Sequence, residues 1–105
     1  MKQIGIIGAG LSSLYAACKL GKSGYQVTVF EKNSQVGGRS QTFQKDGFTF
    51  DMGPSWYWMP ELIDRMFEEL GENREDYYKL SRLDPSYRVF WENVEKTDVP
   101  AKMEE

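Results

Sequence analysis

The stretch that decides the fold is IGIIGAGLSSLYAACKLGKSGYQVTVFE, residues 4–31. It divides into an apolar strand, a glycine turn, a helix, a second strand and a closing acid. Ile4, Ile6 and Ile7 form a β-branched run of the kind that parallel sheets bury on both faces. Gly8 and Gly10 permit a tight turn that brings bare N–H groups up to a pyrophosphate. The positive end of a helix starting near Leu11 faces the same phosphates. Glu31 follows about twenty residues later, where a carboxylate accepts hydrogen bonds from ribose hydroxyls. This is the layout of a dinucleotide-binding βαβ unit. One position departs from it. Ser13 stands where a third glycine usually allows close helix–strand packing, and a residue only slightly larger predicts a small local shift with the site retained. The Glu31 carboxylate repels a 2′-phosphate, which disfavours NADP and leaves NAD and FAD both open.

Outward from this unit, Leu11, Leu14, Ala17, Cys18 and Gly21 recur at helical spacing and predict the core-facing side of the helix, with Gly24 as its natural stop. Gln26 to Phe30 follow as a strand. Residues 32–40, KNSQVGGRS, are polar and glycine-rich and read as a loop. Gln41 to Gln44 and Phe48 to Asp51, separated by Lys45-Asp46-Gly47, carry the Asp-Gly signal of a β-hairpin. After the break at Gly53-Pro54 comes the aromatic patch Trp56-Tyr57-Trp58. Pro60 then suits the first position of a helix whose apolar stripe is Leu62, Ile63, Met66, Phe67 and Leu70, with Gly71 as the stop. Asp84-Pro85 marks a turn, and Tyr87 to Trp91 reads as a short strand.

The whole chain sets further bounds. Its 105 residues make one domain at most. A net charge of −3 without a basic stripe argues against nucleic acid as a partner. Cys18 is the single cysteine, so no internal disulfide or zinc site is expected, and a reduced, cytoplasmic setting fits. No histidine is present, which removes the commonest general base and transition-metal ligand. No apolar run reaches the length of a membrane span, and the first strand is too short and early for a signal peptide. A βαβ unit is only half of a mononucleotide-binding sheet. Nothing after residue 31 repeats the strand–helix–strand pattern, and the tail VEKTDVPAKMEE shows no closing element. The chain is therefore expected to be the N-terminal segment of a larger protein.

Gly37-Gly38-Arg39 lies just beyond Glu31. Paired glycines let backbone approach a ligand closely, and Arg39 offers planar, charge-assisted hydrogen bonds to phosphate. A solvated surface loop is the plainer alternative. The position beside the acidic strand end, at the mouth of the sheet, favours a ligand.

Taken together, GAGLSSLYAA, VTVFEKNSQVGGRSQTF and GFTFDMGP resemble the N-terminus of flavin amine oxidase-type and carotenoid desaturase-type flavoproteins. Asp51-Met52-Gly53-Pro54, Asp76-Tyr77-Tyr78 and Leu83-Asp84-Pro85-Ser86-Tyr87-Arg88 are similar to bacterial phytoene desaturases, and the likeness runs from Met1 to about Arg88. The resemblance implies an α/β fold: the N-terminal βαβ part of a Rossmann-like FAD-binding domain, with a short hairpin and an additional helix. Residues 1–105 would be the incomplete N-terminal segment of that domain, lacking the C-terminal FAD segment and the substrate domain. It implies FAD as cofactor, with Gly8, Gly10 and Ser13 lining the pyrophosphate, Glu31 holding the adenosine ribose, and Gly38 and Arg39 contacting the flavin half. Leu11, Ser12, Lys32 and Ser40 complete the cofactor-binding set. No catalytic residue and no metal ligand is placed.

The function so implied is desaturation of a carotenoid precursor such as phytoene by hydride transfer to flavin. The partner would be a lipophilic isoprenoid substrate, and the longer protein would be cytoplasmic and peripheral at the membrane. The alternatives are an FAD-dependent amine oxidase-like enzyme and a nucleotide-binding fragment with no catalysis of its own. Trp56, Tyr57 and Trp58 suit either a wall for a hydrocarbon substrate or a packed cluster anchoring the Pro60 helix, and packing is favoured. Exposure of some of that patch would lead to self-association. Asp51 reads as a capping or turn residue rather than a base. Arg82 and Arg88 are expected at the surface, solvated or paired.

Overall fold

The computed structural model describes residues 1–93 and 95–102. Two compact units divide the chain, the first running from Met1 to Asn73 and the second starting at Arg74.

The first unit opens with β1 (Gln3–Ile7), α1 (Leu11–Lys22) and β2 (Gln26–Phe30). β1 and β2 pair in parallel with Gln3 opposite Gln26 and Ile7 opposite Phe30. Parallel pairing needs a crossover, and α1 supplies it. The helix ends where Gly24, at φ +86°, takes left-handed backbone. The Gly24 N–H donates to the Gly21 carbonyl and the Tyr25 N–H to the Leu20 carbonyl. These are the paired bonds of a Schellman stop.

Burial corrects the expected face of α1. Ser13, Leu14, Ala17 and Leu20 are half-buried, whereas Leu11, Cys18 and Gly21 are exposed. The packed face centres near Ala17, and Cys18, one residue on, is turned about 100° from it. The sheet also departs from burial on both faces. Ile4, Ile6, Val27 and Val29 are half-buried on the side that α1 covers. On the opposite side Ile7 is 92% exposed and Phe30 58%. Among the described residues this sheet has two strands and one helix, enough to cover one side only. Gly5 leaves room on the uncovered side for the Phe30 ring, which would lie 3.3 Å from a β-carbon at that position.

β3 (Thr42–Lys45) and β4 (Phe48–Asp51) form the expected hairpin, with its first strand one residue later than anticipated. The shift follows from turn geometry. Asp46 (φ +52°) and Gly47 (φ +83°) are both left-handed, so they alone make a two-residue type I′ loop and Lys45 joins the strand. Phe43 and Phe50 face each other across the hairpin with stacked rings 5.0 Å apart. Asp51 closes β4 opposite Thr42, inside the ladder rather than in a turn.

α2 (Pro60–Glu69) begins with proline in its first turn and has Glu61 near the positive end of its dipole. Its stop repeats that of α1. The Gly71 N–H bonds the Glu68 carbonyl and the Glu72 N–H bonds the Phe67 carbonyl. Glu69 ties α2 to α1. It accepts from the Tyr15 hydroxyl and from Lys19 Nζ at 2.6 Å, while Lys22 Nζ donates to the Glu69 carbonyl at 3.1 Å. Trp56, Tyr57 and Trp58 do not form the expected core cluster. They are exposed, and the two indoles stack on each other with centroids 6.2 Å apart.

In the second unit, β5 (Tyr87–Phe90) pairs antiparallel with β6 (Lys96–Val99). The tail therefore does contain a pairing element, which its charge concealed. β5 ends one residue before Trp91, whose N–H instead meets the Glu95 carbonyl at 2.9 Å. Arg88 and Asp98 sit opposite each other and form a two-point ion pair. Arg82 donates to the Ala101 carbonyl. Both arginines are thus engaged at the surface. Arg74 is buried, with Nη1 donating to the Tyr78 carbonyl at 3.1 Å and the guanidinium over the Tyr78 ring.

Candidate dinucleotide site

The site is built where β1 turns into α1. Gly8, at φ +91°, reverses the chain while its N–H donates to the Phe30 carbonyl at 2.7 Å, fixing the turn to the end of β2. Ala9 is the one buried apolar residue described, 1% exposed. Both of its backbone groups are used. Its N–H donates to Glu31 Oε2 at 2.8 Å, and its carbonyl accepts from the Gly37 N–H at 2.7 Å. Gly10 is the N-cap of α1 and has no side chain to cap it. The Gly10 carbonyl accepts the first helical bond, from Leu14, so the N–H groups of Leu11, Ser12 and Ser13 precede the helical ladder. A β-carbon on Gly8 or Gly10 would meet nothing within 4 Å. The glycine turn thus presents donors and a helix dipole to open space, the arrangement that receives a phosphate.

Glu31 follows β2 directly. Its second oxygen, Oε1, accepts from the Asn33 N–H at 2.9 Å. The Asn33 and Ala9 N–H groups hold this carboxyl below the usual carboxylate range, and partial burial opposes them. A carboxylate has about four acceptor positions. The two backbone bonds leave Glu31 with capacity for hydroxyl donors.

The Gly37–Gly38 pair closes the other side. Gly37 (φ +113°) bridges Gly10 in a parallel sense, and Gly38 (φ +59°) starts a single 3₁₀ turn over Gly38–Ser40. A β-carbon on Gly38 would lie 3.2 Å from the Gly10 Cα, so the two segments approach more closely than a side chain there would ordinarily allow.

Of the residues singled out from sequence, Gly8, Gly10, Glu31 and Gly38 are therefore joined by direct backbone contacts or through Ala9 and Gly37. Leu11 and Ser12 are exposed at the start of α1, and Ser13 is half-buried. Lys32, Arg39 and Ser40 are exposed on the rim. Three participants escaped the sequence reading. Ala9 and Asn33 act only through backbone groups, the N–H of each and also the carbonyl of Ala9, which nearly every residue supplies. Gly53, read as a mere chain break, would place a β-carbon 2.0 Å from the Arg39 carbonyl oxygen.

Residues 6–70 match the family model of the NAD(P)-binding Rossmann-like domain. The chain belongs to that family. It is 44% identical over 104 residues to a carotenoid 3,4-desaturase of Haloarcula japonica, covering 99% of this chain and 21% of that protein. It is 43% identical over 103 residues to a 4,4′-diapophytoene desaturase (4,4′-diaponeurosporene-forming) of Staphylococcus aureus, covering 98% and 20% respectively. This Rossmann-like chain thus spans about a fifth of the length of the curated relatives it matches. A solved Pyrococcus furiosus protein superposes with a TM-score of 0.63 at 24% identity, over 86% of this chain and 23% of that one, which supports the fold. The family and the βαβ geometry agree on a dinucleotide as the ligand class. No described helix is long and apolar enough to cross a membrane.

Proposed function

We propose that residues 1–105 are the N-terminal segment of the FAD-binding domain of a desaturase that acts on a carotenoid precursor such as phytoene. On this reading the C-terminal FAD segment and the substrate domain belong to the rest of a longer cytoplasmic polypeptide, peripheral at the membrane. The observation that carries the reading is the tie between the Ala9 N–H and Glu31, which sets a half-satisfied carboxylate beside an open glycine turn. The similarity to two carotenoid-type desaturases supports the substrate class.

The residues fit FAD. Gly8 and Gly10 leave the space that a pyrophosphate needs, and the first N–H groups of α1 answer its charge. Glu31 would accept from the adenosine ribose hydroxyls, and its charge disfavours a 2′-phosphate. Ser12, Ser13, Lys32, Arg39 and Ser40 would add polar contacts around the turn, with Gly38 and Arg39 toward the flavin. Bound FAD would supply a two-electron oxidant for making a new double bond. The chain's own part is to hold and orient that group.

Titration of the purified chain with FAD, followed by flavin fluorescence, tests cofactor binding. Saturable quenching that is abolished in Gly10→Trp and weakened in Glu31→Ala is the expected result. A wild-type chain that leaves FAD fluorescence unchanged refutes binding by this segment. The full-length protein supplied with phytoene and FAD tests the reaction, and failure to form coloured polyenes refutes desaturation.

A further inference from the structure

The ten glycines of this chain differ in what a side chain would meet. Several take left-handed backbone, and Gly38 and Gly71 have a neighbour at 3.2 Å. Gly53 stands apart. Its φ lies outside the left-handed region, so any residue could adopt its backbone. Yet a β-carbon there would sit 2.0 Å from the Arg39 carbonyl oxygen and 3.2 Å from the Arg39 carbonyl carbon. Even close C–H···O contacts keep carbon and oxygen about 3.3 Å apart, so one backbone would have to retreat by roughly 1.3 Å. The obstacle is backbone on both sides and has no flexible end to swing away.

Gly53 is also tied in place. Its neighbour Met52 donates its N–H to the Gln41 carbonyl at 2.8 Å, and Asp51 pairs with Thr42 at the open end of the hairpin. The 3₁₀ turn that carries Arg39 is therefore held on two sides. Gly38 abuts the Gly10 Cα on one side, and the Met52–Gly53 backbone abuts the Arg39 carbonyl on the other. The Gly53 contact excludes any side chain, and the Gly38 contact admits one only if the two backbones part by a few tenths of an ångström.

We propose that Gly53 is a positioning residue: its missing side chain lets the Met52–Gly53 backbone clamp the Gly38–Arg39 turn against the glycine turn and so sets Arg39 for the flavin half of the cofactor. The assignment rests on the FAD reading above. It makes a prediction that general loss of fold does not. Gly10 serves the pyrophosphate and Glu31 the ribose of the ADP portion, whereas Arg39 serves the flavin portion, so disturbing the clamp separates the affinities for FAD and ADP.

The test compares Gly53→Ala with wild type and with Gly21→Ala, whose added carbon meets nothing within 4 Å. Binding of FAD and of ADP is measured, together with amide hydrogen exchange on the full chain. In Gly53→Ala the dissociation constant for FAD is expected to rise about ten- to a hundredfold, the value of a lost charge-assisted hydrogen bond. ADP affinity stays unchanged. Exchange quickens at the Met52 and Ser40 amides, while the Gly8 and Gln26 amides stay protected and report an intact β1–β2 pair. Gly21→Ala keeps both affinities of the wild type and does not quicken exchange at the Met52 or Ser40 amides. Unchanged FAD affinity and unchanged Met52 exchange in Gly53→Ala overturn the proposal and leave the FAD reading standing. Parallel loss of FAD and ADP affinity also overturns it, because that is the mark of general damage. A wild-type chain that binds neither ligand refutes the cofactor reading itself, so the wild-type titration tells the two failures apart.

Discussion

Gly24 and Gly38 both hold left-handed backbone, at φ +86° and +59°, but a methyl group at the two sites meets different surroundings. At Gly24 nothing lies within 4 Å, whereas at Gly38 the Gly10 Cα lies at 3.2 Å. Gly24→Ala therefore incurs only the left-handed penalty, about 1–2 kcal/mol. Gly38→Ala incurs that penalty and also forces two backbone segments apart by a few tenths of an ångström. Relief on that scale requires a bond-angle or peptide-plane distortion worth about 1 kcal/mol. The expected cost at Gly38 is thus about 2–3 kcal/mol. Native-state hydrogen exchange reads both sites in the intact chain. The Gly37 N–H, bonded to the Ala9 carbonyl at 2.7 Å, reports the Gly38 site. The Tyr25 N–H, bonded to the Leu20 carbonyl at 3.1 Å, reports the end of α1. Protection at Gly37 in Gly38→Ala should fall about fivefold further than protection at Tyr25 in Gly24→Ala. Equal losses at the two sites would refute the claim that the approach of Gly38 to Gly10 is a steric constraint.

Protonation of Glu31 should loosen the site only in acid. The Asn33 and Ala9 N–H groups lower its carboxyl in the folded chain, so the tie is complete above the ordinary carboxylate range and is lost as pH falls through the lowered folded value. A drop in the protection factor of the Ala9 amide that is already complete above about pH 5 contradicts this. The stacked Phe43–Phe50 pair should show a coupling of about 0.5–1.5 kcal/mol in a double-mutant cycle to alanine, and a coupling of zero removes it as a hairpin determinant. Exposed Ile7, Phe30, Trp56 and Trp58 should drive self-association that rises with concentration in light scattering and falls in Trp58→Ser. A mass that stays monomeric throughout refutes it.

Features legible in the sequence are those decided within a few residues. The glycine turn, the stops at Gly24 and Gly71, the proline start of α2 and the Asp46-Gly47 loop each follow from backbone preferences that a single residue type imposes. The Gly-x-Gly turn with an acid at the end of the next strand was legible too, because its spacing is set by one helix and one strand. Errors arose where a longer reach decided. Helical spacing placed Cys18 on the packed face, but which arc of α1 meets the sheet depends on how the helix crosses it. β6 was missed because its pairing with β5 comes from register, with Arg88 opposite Asp98, while its composition is that of a polar tail.

Local backbone geometry and charge thus made the βαβ class of the first unit, the hairpin and the pairing of a glycine turn with a strand-end acid readable before folding. The folded chain alone shows that Ala9 and Asn33 hold Glu31, that Glu69 links α2 to α1, and that Gly53 meets the Arg39 carbonyl. Each of these but the Asn33 bond joins segments far apart along the chain. Most act through backbone groups that every residue shares, so no pattern of side chains announces them.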